Sequence, residues 1–232
     1  VQHVVESISR LLDADRPADA LAWLQDSWDH LDGNRQDLLA EALERLGRIA
    51  ESAPIRQQMF ERTLSVFDYQ RWLDHLPQAA RPGAEAHARQ LGLNHDDLTA
   101  AAALLLELGD AAAAEARLLA DPGRLDGTQY ATLVPLAKAL RAHECPRGET
   151  VVYRALMKDI LDRAYARAYG HAARYWSRLR DIADGGIGLL PLQSHEDFVA
   201  EIRARHGRKT AFWAHVNGTR RDRHDDEDDL TP

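Results

Sequence analysis

Eleven histidines and a single cysteine hold most of the metal-ligating and nucleophilic capacity of this sequence. Imidazole and thiolate are common zinc ligands, but a site needs several of them to converge. His195-Glu196 begins the pattern that would put two histidines one helical turn apart, and Val199 stands where the second is required. His143 and Cys145 lie close together with no second pair at ligand spacing, so no metal and no cofactor is expected. As a nucleophile, Cys145 would need a base brought by the fold, with His143 or His171 as candidates, and a place beside Pro146 at a helix start could lower its pKa. A buried or incidental cysteine is the simpler reading. Gly185-Gly186-Ile187-Gly188 has the glycines of a phosphate loop but neither a preceding strand nor the following Lys-Ser/Thr, and it reads as a plain loop. No pair of carboxylates stands out for acid and base roles. These residues point away from an enzyme.

One segment mixes charge with aromatic rings. His206-Gly207-Arg208-Lys209 precedes Phe212 and Trp213, and Arg174, Arg178 and Arg180 could extend it into a patch that clamps phosphates and stacks on bases. The competing reading has Phe212 and Trp213 plugging the last helix onto the domain while Arg208 and Lys209 stay solvated. The net charge of −8 hides an uneven distribution. Residues 1–146 carry 14 basic and 23 acidic side chains, residues 147–209 carry 12 and 8, and residues 210–232 carry 3 and 6. The basic 147–209 stretch could face an acidic partner or the acidic front half of the same molecule. The candidate interaction residues are therefore Arg174, Arg178, His206, Arg208, Lys209 and Trp213.

Helices must position these groups. Alanine (38) and leucine (32) dominate the 232 residues, while glycine (14) and proline (9) are few, which favours helix over sheet. No apolar run approaches the roughly 18 to 20 residues that span a bilayer, and the start lacks a secretion signal. A cytoplasmic protein without a membrane association is expected. A lone cysteine leaves no intramolecular disulfide.

Apolar spacings of three and four mark the elements. Residues 17–51 read as an antiparallel hairpin, with Leu21, Leu24, Trp28 and Leu31 facing Leu39, Leu43 and Leu46 across a break at Gly33-Asn34. Pro54 opens a helix, Ser65 caps Val66 to Leu76, and Pro77 to Gly83 is loop-like. Asn94 with Asp97 resembles a capping box before the run to Leu108. Gly109-Asp110 separates the next two helices, and Pro135 should kink or divide the helix over Thr128 to Ala142. Cys145-Pro146 opens the longest helix, ending near Tyr169-Gly170, and another follows over His171 to Ala183. Ser194 with Asp197 is a capping box, Gly207 a left-handed stop, and Arg208 to Val216 a final short helix. The fold expected is all-α, an irregular α-solenoid of antiparallel hairpins with about 12 helices, tetratricopeptide-like in size, with a closed bundle as its rival. A single helical-repeat domain over 1–216 precedes a disordered charged tail over 217–232. The start at Val1, already inside an amphipathic pattern, suggests the C-terminal part of a longer protein.

The stretch from Tyr153 to Leu179 (Y-R-A-L-M-K-D-I-L-D-R-A-Y-A-R-A-Y-G-H-A-A-R-Y-W-S-R-L) and that from Phe198 to Trp213 (F-V-A-E-I-R-A-R-H-G-R-K-T-A-F-W) resemble a family of bacterial proteins of unknown function. Weaker matches lie in Arg16 to Leu24, Asp37 to Arg48 and Met59 to Ser65. Similar helical regions form the tails of some SWIM zinc-finger proteins, but the cysteines of that zinc pattern are absent. The resemblance implies a tetratricopeptide-like helical repeat and no established activity.

The expected function is a non-enzymatic interaction or scaffold module whose helical groove binds a protein partner or an upstream domain of its own chain. The alternative is a nucleic-acid-binding accessory that uses the basic 147–209 region. An enzyme ranks third and would need a deep pocket uniting Cys145 with a histidine.

Overall fold

The computed structural model describes residues 2–26 and 33–218. Among these, every regular element is helical: thirteen α-helices and three 3-10 turns, with no strand. The protein is all-α, with consecutive helices packed on one another. The chain divides into two compact units, Val1–Gly92 and Leu93–Pro232.

The first unit holds α1 (Gln2–Asp13), α2 (Pro17–Asp26), α3 (Gly33–Arg45), α4 (Ile49–Thr63), α5 (Val66–Asp74) and most of α6 (Arg81–Asn94). α1 packs on α2 and α3, α2 on α3, α3 on α4, and α4 on α5. Ile8, Leu12, Ala20, Leu21, Leu24, Leu38, Ala42 and Leu43 form one buried cluster in the first three helices. Trp28 and Leu31 of the expected stripe lie outside the described residues. Farther along, Phe60 stacks on Trp72 with ring centroids 5.6 Å apart and meets Tyr69 at 5.4 Å.

The second unit holds α7 (Leu98–Glu107), α8 (Ala111–Ala120), α9 (Tyr130–Ala142), α10 (Pro146–Asp162), α11 (Tyr169–Asp184), α12 (His195–His206) and α13 (Thr210–Gly218). α10 is its axis, packed by α8, α9 and α11, while α7 touches α8 and α9, and α11 touches α12 and α13. Helices thus pack on the next or the next but one along the chain, as in stacked helical repeats.

A recurrent turn builds these hairpins. After α1, α3, α7, α9 and α10 the chain passes through a left-handed residue, Asp15, Gly47, Gly109, Glu144 and Ala164 respectively, with φ between 53° and 72°. The next amide then bonds the carbonyl five residues back, at 2.8–3.0 Å. This is a Schellman closure, which satisfies carbonyls that the helix end leaves open.

Several expected boundaries move. α4 starts at Ile49, where the Gly47 turn releases the chain, so Pro54 lies inside the helix instead of opening it. Pro135 is likewise carried within the single helix α9. The expected loop at 77–83 is a 3-10 turn over Gln78–Ala80, and α6 then begins at Arg81. Pro82 stands in its first turn, where a missing amide costs little. Asn94 closes α6, and the cap of α7 is Asp97, whose carboxylate accepts from the amides of Thr99 and Ala100 at 2.9 and 3.0 Å. α10 ends at Asp162, short of the expected Tyr169, because Ala164 takes the left-handed turn. Gly207 is right-handed (φ −55°), not a left-handed stop. A Cβ there would stand 2.6 Å from the Arg203 carbonyl oxygen, so this glycine answers crowding. Asn217 and Gly218 belong to α13, and the remainder of the expected tail lies outside the described residues.

Candidate functional site

The six candidate residues do not form one open patch. Arg178, half-buried on α11, grips Glu149 of α10 with Nε and Nη2 at 2.7 and 2.9 Å, and Arg141 of α9 reaches the same carboxylate at 3.0 Å. Glu149 is 1% exposed, so this triad ties three helices together. Arg174 donates to His171 Nδ1 at 2.8 Å. His206 is buried, with Nε2 3.2 Å from the Asp162 carboxylate. Burial pushes the His206 pKa down, and Asp162 opposes that shift. Phe212 is wholly buried beside Trp176 and Tyr169, at 6.2 and 6.0 Å. Trp213 packs edge-on to Trp176 at 5.3 Å, donates its indole N–H to the His206 carbonyl at 3.0 Å, and lies under Arg203. Arg208 is exposed and Lys209 half-buried.

A cleft of about 550 Å³ opens elsewhere in the second unit. Its walls are α10, the end of α8, the 122–127 segment and the stretch 191–198. Apolar groups dominate the lining: Leu119, Leu125, Val151, Leu192 and Phe198. Pro191 separates this cleft from a shallower one of about 420 Å³ over α8. Beside the lining residue Pro191 stands Leu190, 80% exposed.

The cleft is built by interactions absent from any motif. Cys145 supplies no side-chain cap to α10. Glu115 of α8 caps it instead, its carboxylate accepting the amides of Arg147 and Gly148, both at 3.0 Å, and the Arg147 guanidinium at 2.7 and 3.1 Å. A carboxylate at a helix N-terminus meets both the open amides and the positive end of the dipole. Arg154, 8% exposed, donates to the Gln193 and Ser194 carbonyls at 2.9 and 3.3 Å and lies 4.4 Å over the Phe198 ring. These bonds hold the 191–198 wall against α10. Arg154 escapes pattern reading because it is an isolated cation beside the apolar face of α10; the signal available is a charge set next to Tyr153 and Leu156.

Gly127 closes the opposite wall. A Cβ at Gly127 would stand 2.4 Å from the Ala155 carbonyl oxygen and 2.5 Å from Asp159 Cβ. Gly127→Ala is therefore expected to push the 122–128 segment off α10 and cost about 1–3 kcal/mol, the usual penalty of overpacking. Urea unfolding of the full chain measures the loss, and an unchanged midpoint would show that the segment is not clamped.

Other chemistry is weaker. Burial, and secondarily the Glu115 charge, raise the pKa of Cys145, whose thiol donates to the carbonyls of His143 and Ala111 at 3.5 and 3.6 Å. That is the reverse of an activated thiolate. Among the described residues no three His, Cys, Asp or Glu side chains converge as metal ligands. A depression of about 400 Å³ in the first unit, between Ala53, Trp72 and Ala84, has one ionisable lining group, His87, held by Glu61 at 2.7 Å. Among the described residues, no helix is long and apolar enough to cross a membrane.

No curated protein and no solved structure matches the chain. A family model matches residues 1–215 of the 232, and it is described as a family of unknown function. The chain therefore belongs to the family of unknown function DUF6880.

Proposed function

We propose that the protein is a non-enzymatic, cytoplasmic interaction module that docks an extended segment of a protein partner, or of an upstream domain of its own chain, in the second unit's cleft. The observation that carries this reading is the apolar cleft with Leu190 standing exposed beside its wall residue Pro191. Hairpins closed by the same turn, roughly 30 to 35 residues apart at positions 15 and 47 and again at 109 and 144, support a tetratricopeptide-like repeat as the scaffold. Such repeats present rigid helix faces, and a pre-built wall reduces the ordering cost of binding.

The test is selection of a random displayed peptide library on the intact protein. Peptides sharing an apolar motif should emerge and should lose at least tenfold in affinity against Leu190→Asp, a substitution at a solvated site that leaves folding intact. Failure to recover related sequences, or equal binding to the variant, would remove the reading.

The nucleic-acid alternative rests on Arg167, Arg203 and Arg208, all exposed, with Lys209. It predicts low-salt binding that Arg208→Ala with Lys209→Ala weakens. Against it stands the number of basic side chains of 147–209 that are already engaged: Arg147, Lys158, Arg163, Arg178 and Arg205 each meet a carboxylate within 3.4 Å.

A further inference from the structure

α12 is fastened by a narrow face with a histidine at each end. His195, Phe198, Ile202 and His206 follow one another at spacings of three, four and four, so they share one side of the helix. Phe198, Ile202 and His206 are buried and His195 is half-buried, while Glu196, Asp197, Arg203 and Arg205 are exposed. A fully apolar stripe would attach the helix at any pH, whereas two of these four members titrate. His195 opens the helix beside the Trp176 ring of α11, with centroids 6.3 Å apart. Around it stand Arg154 of α10, Arg180 and Asp184 of α11, and its own neighbour Glu196. Burial lowers its pKa, Arg154 and Arg180 add to that shift, and Asp184 and Glu196 oppose it. The positive end of the helix also disfavours a cation there. His206 closes the helix with Nε2 3.2 Å from the Asp162 carboxylate of α10, near Arg205 and Lys209 of its own segment. α13 contributes the Trp213 indole on its backbone carbonyl. Burial outweighs Asp162, so the pKa of His206 is lowered as well.

We infer that α12 is an acid-released latch: protonation of His195 and His206 detaches its inward face from α10 and α11 and takes the Phe198 wall away from the cleft. A solvated histidine has a pKa of about 6.5. Both docked values lie below the ordinary one, so the released helix binds protons more readily than the docked helix. Attachment is therefore complete above about pH 6.5 and weakens as the pH falls through that value. The remaining ties are poor substitutes. Lys158 meets Glu201 and Arg205 meets Asp162 through partly exposed side chains, pairs that contribute little. Arg154 holds the carbonyls of Gln193 and Ser194, ahead of the helix body. α11 stays on α10 through Arg178 and Glu149, and α13 stays on α11 through Phe212, so the release is confined to α12. The release is a property of the fold. Its consequence, loss of a docked segment in acid, rests on the interaction-module reading.

Hydrogen exchange read by mass spectrometry on the full chain tests this at about pH 7.5 and about pH 5.5, with rates corrected for the intrinsic pH dependence of exchange. Peptides covering 195–206 should lose protection about threefold or more at the lower pH, with about tenfold per histidine as the ceiling for groups of ordinary pKa near 6.5. Peptides from α10 and α11 should keep theirs. In His195→Gln combined with His206→Leu, which makes the stripe apolar at its buried end, the acid loss over α12 should vanish. The native protein supplies a check that needs no variant: the imidazole NMR signals of His195 and His206 should titrate below about pH 6.5, in step with the exchange over α12. Unchanged protection of α12 in acid, a loss shared equally by α10, or a loss that persists in the double variant would overturn the inference. Imidazole signals that titrate at or above the ordinary value would do the same. Failure of the peptide selection would remove the docking role and leave the release standing, whereas a pH-insensitive α12 would leave the interaction module without this control.

Discussion

Glu149→Ala is expected to lower the unfolding free energy by about 2–4 kcal/mol. Breaking a buried ion pair costs about 3–5 kcal/mol when the surviving charge stays dry. Here the survivors, Arg141 and Arg178, are each about one-third exposed, so water recovers part of the loss. What water cannot recover is the junction itself, since one carboxylate accepts from α9 and α11 while belonging to α10. Glu149→Gln should fall nearly as far, because an amide cannot accept from two guanidiniums at both of its ends. Urea unfolding of the full chain gives the number. A loss below about 0.5 kcal/mol, the range of ordinary surface substitutions, would mean that the triad is not structural and that Arg178 is free for a partner.

The same triad explains why the basic stretch is a poor guide to function. Its charge excess looks like a surface when counted along the sequence. In three dimensions Arg147 reaches back to Glu115, Arg178 to Glu149, and Arg205 to Asp162, so much of the excess is spent joining helices. Charge counted by segment does not distinguish a cation facing solvent from one facing the next helix.

Helix type and order are legible because they follow from spacing and composition, which act locally. Capping is legible where the residue is conventional, as at Asp110 and Ser194, the latter accepting the Asp197 amide at 3.0 Å, whereas Ser65 holds the N-cap position of α5 without a side-chain cap bond. The turns are less so. Three of the five left-handed closures fall on Asp15, Glu144 and Ala164, which carry no glycine signal, while Gly207, which does, serves a close approach. The cleft is illegible for a different reason. Arg154, Gly127, Glu115 and Leu190 come together only through the packing of α8, α10 and the 185–194 connection, and none has a neighbour in sequence that marks it. Trp213 and Phe212 stand out in sequence as aromatics beside cations, yet they are used to seal α13 against Trp176.

Arg56→Met in the first unit should cost about 3–5 kcal/mol. Arg56 is 1% exposed at the centre of α4, where Nε and Nη2 bind the Glu44 carboxylate at 2.7 and 2.9 Å and Nη1 binds Asp37 and lies near the Met59 sulfur. Asp37 keeps a second partner in Arg71 at 2.5 Å, so it survives the substitution paired. Glu44 does not: it is largely buried, and His75 at 3.3 Å is what remains beside it. The penalty is therefore assigned to the orphaned Glu44 charge and not to the lost volume, which methionine replaces. That assignment has its own check, since Arg56→Met combined with Glu44→Leu removes both charges and should recover most of the stability. A double variant as unstable as the single one would place the loss in packing around Phe60 and Met59 instead. Recovery would mean that the ion pair adds little net stability beyond an apolar contact, and that the large single-variant loss measures the cost of leaving one buried charge without the other.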